Sequence, residues 1–397
     1  MKTLLFFMLI FLLFFSCGYD VEFQTAEMQP ALTDVLSLEL SFGDEKTIVK
    51  DEFLLAKPSD LIVNDEGDIY IFDEGKIKVF DKNGKEKQII GGPGQGPSEF
   101  GSRVHNMWHS PAGYITVQER SYYSLFSPDN EFMVKRNFRN ISSINNIFKE
   151  HKLSESNNPF HIIALNEHEC ILFGTDLGFS YVAKDNIYYD FLFYVKDDSV
   201  TLITKQKNVD SFVLREADSF WMTRIGLLGN LSYVLLPGKK ILYSHSAHDV
   251  TVEMGIGQAV LHVVSLENME KYDISYFFEP REITKSEIND VQYSGTRKRV
   301  GEDIKSAMRK AKYYAPFFNI YAEADGNMVF LYSGSDTEYK SNFFSVIDTE
   351  KRKYVCSMVI PMLPSCIKNG FLYKYHRPED EFPYVEKYKI NPAVYGK

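Results

Sequence analysis

A short phrase recurs six times along this chain: a turn built from Asp, Asn, Gly or Pro, then a strand of alternating apolar and aromatic residues. A repeat of this kind restricts the available architectures more than any single motif. Its clearest copy is Asp65-Glu66-Gly67-Asp68-Ile69-Tyr70-Ile71-Phe72, and it returns as Ser110-Pro111-Ala112-Gly113-Tyr114-Ile115-Thr116-Val117. Looser copies begin at Glu167, Pro237, Asp325 and Lys368. A second strand follows most copies and ends in its own turn, as in Ile77 to Phe80 before Asp81-Lys82-Asn83-Gly84 and Tyr123 to Phe126 before Ser127-Pro128-Asp129-Asn130. A third short strand comes next, such as Lys87 to Ile90 or Tyr354 to Ile360. Asn, Asp and Gly supply the positive φ that tight hairpins require, so period-2 strands joined this way form antiparallel meanders.

A meander of this size cannot bury both faces alone. Six of them packed radially around a channel bury each other's faces and leave only short edges. The expectation is therefore an all-β fold, a six-bladed β-propeller of four-stranded antiparallel blades, with a β-sandwich or two β domains as the competing architectures. Ring closure would pair Val35 to Leu40 near one end of the chain with Tyr384 to Tyr388 near the other. Two stretches interrupt the rhythm. Residues 134–160 are polar and Asn-rich and read as a long loop, whereas residues 280–314 read as a helical insertion. Thr284-Lys285-Ser286-Glu287 has the spacing of a capping box, and Asp303 to Lys310 has helix-forming composition. The basic run in this insertion (Arg297, Lys298, Arg299, Lys305, Arg309, Lys310 and Lys312) reads as a solvated helix face or a surface for an anionic partner.

The segment Gly91-Gly92-Pro93-Gly94-Gln95-Gly96-Pro97-Ser98-Glu99-Phe100 lacks the Lys-Ser/Thr and the following helix of a phosphate-cradling loop. It reads instead as an inter-blade crossover whose glycines permit close backbone approach and whose Phe100 wedges between blades. A Gly-rich stretch ending in Phe, followed at once by a new blade, resembles the NHL repeat. The whole chain resembles the six-bladed TolB-like and NHL-like propeller lipoproteins of Gram-negative bacteria, most strongly over residues 58–132 and 316–390. That resemblance implies a fold and a location more than an activity.

The first residues carry the location signal. Lys2 precedes an unbroken apolar run from Leu4 to Phe15, closed by Ser16, Cys17 and Gly18. The run is too short to span a ~30 Å hydrocarbon core and has the flanks of a cleaved signal. Phe14-Phe15-Ser16-Cys17 resembles a lipobox with Phe where Leu is usual; ordinary cleavage near Ser16 and a buried N-terminal helix are the alternatives. The organisation expected is a signal peptide over 1–17 ending at a lipidated Cys17, a tether over 18–34 and a propeller over 35–397. The resemblance to sorted lipoproteins, with Gly18 rather than Asp after the cysteine, implies an outer-membrane location.

The formal charge of −10 argues against nucleic acid as a partner, since phosphate neutralisation needs a basic face. Cys170, Cys356 and Cys366 are too few and too widely spaced for a disulfide framework, and Cys356 and Cys366 read as buried thiols or as a pair. The His105/His109 and His245/His248 spacings lack a third ligand at a fixed offset, so no metal and no cofactor is expected, and no Gly-x-Ser-x-Gly elbow appears. Without a catalytic set, propeller geometry nominates the binding residues: those near each innermost strand, where loops converge on a common mouth. These are Arg103, His105, Trp108, Arg120 and Tyr122 in the second blade, and Arg215, Trp221, Arg224 and His245 in the fourth. Aromatic and guanidinium groups suit glycan or peptide recognition through stacking and bidentate hydrogen bonds. The function expected is a binding module of the cell envelope, held to the membrane at Cys17 and meeting a ligand or other envelope proteins. A channel-mouth lyase or hydrolase and a structural component of an outer-membrane complex are the alternatives.

Overall fold

The computed structural model describes residues 30–101, 104–120, 122–137, 161–176, 188–197, 199–216, 219–293, 297–336 and 341–397. Cys17 and its signal segment, Arg103 and residues 138–160 of the Asn-rich stretch lie outside the described residues. After an initial strand, β1 (Leu36–Phe42), the first blade comprises β2 (Pro58–Val63), β3 (Ile69–Asp73), β4 (Lys76–Phe80) and β5 (Glu86–Ile90). The second comprises β6 (Val104–His109), β7 (Ile115–Glu119), β8 (Tyr122–Phe126) and β9 (Phe132–Asn137). The third comprises β10 (His161–Ala164), β11 (Glu169–Asp176), β12 (Tyr189–Lys196) and β13 (Ser199–Lys207). A separate hairpin, β14 (Ser211–Glu216) and β15 (Ser219–Arg224), precedes the fourth blade.

That blade contains β16 (Leu231–Leu236), β17 (Lys240–His245), β18 (Val250–Glu253), β19 (Ile256–Ser265) and β20 (Lys271–Phe278). It departs from the four-stranded expectation because the long β19 pairs with β17 over one half and with the extra strand β18 over the other. Helices α1 (Lys285–Asp290) and α2 (Lys298–Ala311) follow. The fifth blade comprises β21 (Asn319–Ala322), β22 (Met328–Asp336), β23 (Ser341–Asp348) and β24 (Lys353–Ile360). The sixth comprises β25 (Cys366–Lys368), β26 (Phe371–His376) and β27 (Tyr384–Ile390), completed by β1, which pairs antiparallel with β27 from Leu36↔Ile390 to Phe42↔Val385. The chain is thus a six-bladed β-propeller, closed by the two strands whose sequences predict the closure.

Three copies of the repeated phrase close through a similar pair of backbone hydrogen bonds, with one residue more in the fifth blade. In the first blade Asn64 N–H donates to Asp68 O and Gly67 N–H to Asn64 O; in the second, Ser110 donates to Tyr114 and Gly113 to Ser110. In the fifth, Glu323 donates to Met328 and Gly326 to Glu323. The three glycines have φ of +91°, +90° and +67°, values that a side chain would resist. Apolar side chains on both faces of the strands then meet the neighbouring blades. Six hydrophobic clusters join adjacent blades in sequence, and the last brings Tyr373 and Val385 of the sixth blade against Ile69 and Ile71 of the first. Phe100, fully buried, fills the crossover between the first two blades, with ring centroids 5.7 Å from Phe72 and 6.0 Å from Phe126.

The helical insertion lies where the sequence predicts it. Thr284 Oγ1 accepts from Glu287 N–H at 3.2 Å, and the Glu287 carboxylate accepts from Thr284 N–H at 2.8 Å, which completes the capping box. Helix α2 turns Val300, Ile304 and Met308 inward, where they pack with Ile288 of α1, Leu228 and Phe212 of the hairpin. Two insertions flanking the fourth blade therefore share one small core. Lys298, Arg299, Arg309 and Lys310 are exposed on the outer face of α2. Cys170, Cys356 and Cys366 are free thiols, and burial pushes Cys366 up to about 12.

Candidate functional site

Each blade's innermost strand (β2, β6, β10, β16, β21 and β25) is the free edge of its sheet. Together they enclose a cavity of about 550 Å³ to which all six contribute, a volume within the range of small-molecule sites. The edge N–H groups do not all wait for a ligand. Side chains from neighbouring blades take several of them: the Asp60 carboxylate accepts from Met107 N–H at 2.5 Å, Gln118 Oε1 from Ile162 N–H at 3.0 Å and Thr116 Oγ1 from Ala164 N–H at 2.9 Å. Burial pushes the Asp60 carboxyl up to about 6, against the opposing pull of the Met107 and Leu61 N–H groups.

One side of the channel is aromatic. Trp108 and His161 meet edge to face at 5.7 Å, His161 and Phe173 lie 5.8 Å apart, and Phe173 and Tyr233 lie 4.9 Å apart. All four residues line the cavity, and all are half-buried. Asn106 Nδ2 donates to His161 Nδ1 at 3.1 Å, which leaves the ring proton on Nε2. Burial, reinforced by Arg224 and His105, lowers His161 to about 4, so the ring is neutral at ordinary pH.

Arg224, at the end of β15, reaches the channel from the inserted hairpin. Its Nη2 donates to Thr175 Oγ1 at 2.7 Å, and Thr175 donates in turn to Asp190 Oδ1 at 2.5 Å. Asn208 Nδ2 bridges Asp190 and Asp210 at 2.9–3.1 Å, and Ser211 Oγ donates to Asp210 at 3.0 Å. Thr175, Asp190, Asn208, Asp210 and Ser211 are all buried. Burial raises the Asp210 carboxyl, with Arg224 the largest force pulling it back down. This buried polar network holds one corner of the guanidinium of Arg224, an exposed residue, through Thr175.

His245 stands behind this network. It is fully buried, its Nδ1 accepts from Ala247 N–H at 3.3 Å, and its Nε2 lies 3.7 Å from Asp190 Oδ2. It lies outside the cavity lining and approaches the network at Asp190. Of the residues nominated from the sequence, the structure brings Trp108 and Arg224 to the cavity wall. His105 and Arg120 are exposed and outside the cavity lining, as is Tyr122, whose ring lies 5.9 Å from Lys135 Nζ. Arg120 and Tyr122 are displaced because the repeated phrase marks the second strand of each blade, so they follow that strand and not the innermost one, whereas His105 lies on the innermost strand β6 with its side chain exposed. Arg215 and Trp221 lie on β14 and β15, in register with Phe220 and Leu214. Sequence reasoning missed His161, Phe173 and Tyr233. His161 and Tyr233 sit on the innermost strands just before a copy of the repeated turn and Phe173 on the strand after one, and none stands out by residue type.

At the other end of the channel, burial with the nearby Lys368 lowers His109 to about 4, and Lys368 Nζ pairs with Asp65 at 2.7 Å. Glu323 there accepts from Gly370 N–H at 3.1 Å and from Tyr395 Oη at 2.5 Å, tying the fifth blade to the sixth. Among the described residues, no group of three or more His, Cys, Asp or Glu side chains is arranged to hold a metal ion. No described helix is long and apolar enough to cross a membrane.

A family described as a 6-bladed beta-propeller matches residues 47–117, the first blade and the inner half of the second. No curated protein matches the chain. Among solved structures, a Bacteroides fragilis protein described as exported is 11% identical over 90% of this chain and 96% of its own, with a TM-score of 0.49. The WD40 domain of Neurospora crassa Pan2 is 5% identical over 91% of this chain and 98% of its own, with a TM-score of 0.36.

Proposed function

We propose that this chain is a binding module of the cell envelope that takes its ligand in the propeller channel. The observation that carries the reading is the meeting of two unlike walls in one cavity. The half-buried arc of Trp108, His161, Phe173 and Tyr233 offers apolar contact area, and Arg224 offers directed N–H donors. Apolar walls with a few convergent polar groups are the usual make-up of a small-molecule site. The apolar run before Ser16-Cys17-Gly18 supports an outer-membrane lipoprotein, with Cys17 carrying the lipid. The Gly-rich crossover ending in Phe100 supports its kinship with TolB-like and NHL-like propellers.

The binding reading is tested by a thermal-shift screen on the chain from residue 18. A compound that occupies the folded channel raises the melting temperature by mass action, and that rise disappears in Trp108→Ala. A shift of undiminished size in both Trp108→Ala and Arg224→Ala would move the site out of the channel. The anchor is tested separately, by mass spectrometry of the N-terminal peptide from detergent extracts. A diacylglyceryl adduct on Cys17, lost in Cys17→Ala, is expected; an unmodified chain beginning near Ser16 contradicts it.

A further inference from the structure

We propose that the channel ligand is a neutral sugar, a glycan chain end whose ring lies on the aromatic arc while its hydroxyls meet Arg224 and Asn106. This rests on the binding reading above and names its ligand class. Three observations distinguish a sugar from the other occupants of such a cavity.

The first concerns extended peptides, which add to a free sheet edge through main-chain hydrogen bonds. The inner edges here are free in topology, yet several donors on four of them are spent. Leu61 and Met107 N–H go to Asp60, Ile162 to Gln118, Ala164 to Thr116, and Ile320 to Asn319 Oδ1 at 2.9 Å. A peptide strand laid along these edges would find no partners for its carbonyls at those positions.

The second concerns charge. Arg224 is the cation of the aromatic side: it bonds Thr175, Asp190 accepts from that same hydroxyl, and Asp210 lies in the same network with its carboxyl raised by burial against the pull of Arg224. His161 is neutral at ordinary pH, and Asp60 adds negative charge above about 6. A carboxylate or phosphate reaching Arg224 would meet these carboxyl groups as well.

The third is the shape of the chemistry that remains. A guanidinium has five N–H donors in a planar fork, of which one hydrogen bond goes to Thr175. Such a fork suits vicinal hydroxyls, and flat ring surfaces suit the C–H faces of a pyranose. Flat rings beside planar polar groups fit a polyhydroxylated neutral ring better than a charged or purely apolar ligand.

The test is isothermal titration of the chain from residue 18 in a Trp221→Phe background, with Trp108 fluorescence followed in parallel. The probes are glucose, galactose, mannose, N-acetylglucosamine and their β-linked disaccharides, then glucuronate and galacturonate, then neutral and acidic tripeptides. Saturable binding of at least one neutral sugar is expected, with Trp108 emission shifted and affinity reduced about tenfold or more in Trp108→Ala and in Arg224→Ala. Trp108→Phe, which keeps a ring in place, retains most of the affinity and separates lost stacking from lost folding. Binding of uronates or peptides alone, still dependent on Trp108, overturns the sugar assignment and leaves the channel reading intact. Sugar binding that neither variant weakens overturns both.

Discussion

At the scale of the residue, two titrating groups make the stability of this protein fall with rising pH over two adjoining intervals: Asp60, which bonds from the first blade to the second, and His262, held within the fourth. Asp60 is held up to about 6 by burial, so the folded state keeps its proton more tightly than the unfolded chain. Its contribution therefore falls as pH rises from the ordinary carboxyl value of ~3.9 to about 6, and is level above. Carbon-detected NMR should find the Asp60 carboxyl titrating near 6; a midpoint near 4 would mean the carboxylate is solvated and the Met107 contact weak. His262 acts in the same direction over a higher interval. Its hydrogen bond to Asp249 is the largest influence, aided by Asp273 at 2.7 Å, and its pKa is raised despite burial. Its stabilisation is complete below the unfolded value of ~6.5 and is lost as pH rises through the higher folded value. His262→Gln should flatten the decline in melting temperature across that interval, and a slope identical to wild type would remove His262 from the account.

At the scale of the element, the repeated turn and the Gly-rich crossover were legible from sequence because both depend on local backbone chemistry. Gly67 and Gly113 sit at positive φ in equivalent turns, and Phe100 sits between Phe72 and Phe126 as the crossover reading requires. Phe100→Ala should lower unfolding free energy by about 3–5 kcal/mol, the usual cost of removing a buried Phe. A loss below about 1 kcal/mol in chemical denaturation would mean that the blades close over the gap. The site was less legible. The inner strands β10, β21 and β25 are only three or four residues long and carry no alternation of their own. The more conspicuous second strand of each blade therefore drew the assignment, and with it Arg120 and Tyr122. Trp108 and Arg224 were found because their residue types are rare and suited to binding. His161, Phe173 and Tyr233 look like ordinary strand residues until the ring brings the third and fourth blades together beside Trp108 of the second.

At the scale of the whole molecule, function depends on ring closure, because the cavity exists only while all six innermost strands face one another. Strand β1 supplies the last step: it pairs with β27 and places Phe42 in the cluster shared by the sixth and first blades. A chain beginning at residue 43 should therefore lose cooperative unfolding and expose β27 as an edge, with soluble oligomers visible by gel filtration. A chain beginning at residue 30 should unfold as the longer one does. The hairpin inserted before the fourth blade adds Arg224 to a channel that six plain blades would leave without it. The most direct measurement of the central claim is a crystal structure of the chain from residue 18, grown with the tightest compound from the thermal-shift screen. The account predicts density inside the ring, against Trp108 and Phe173 and within hydrogen-bond reach of Arg224. The compound seated on the outer face of α2 or at a blade edge, with only water in the channel, would contradict it.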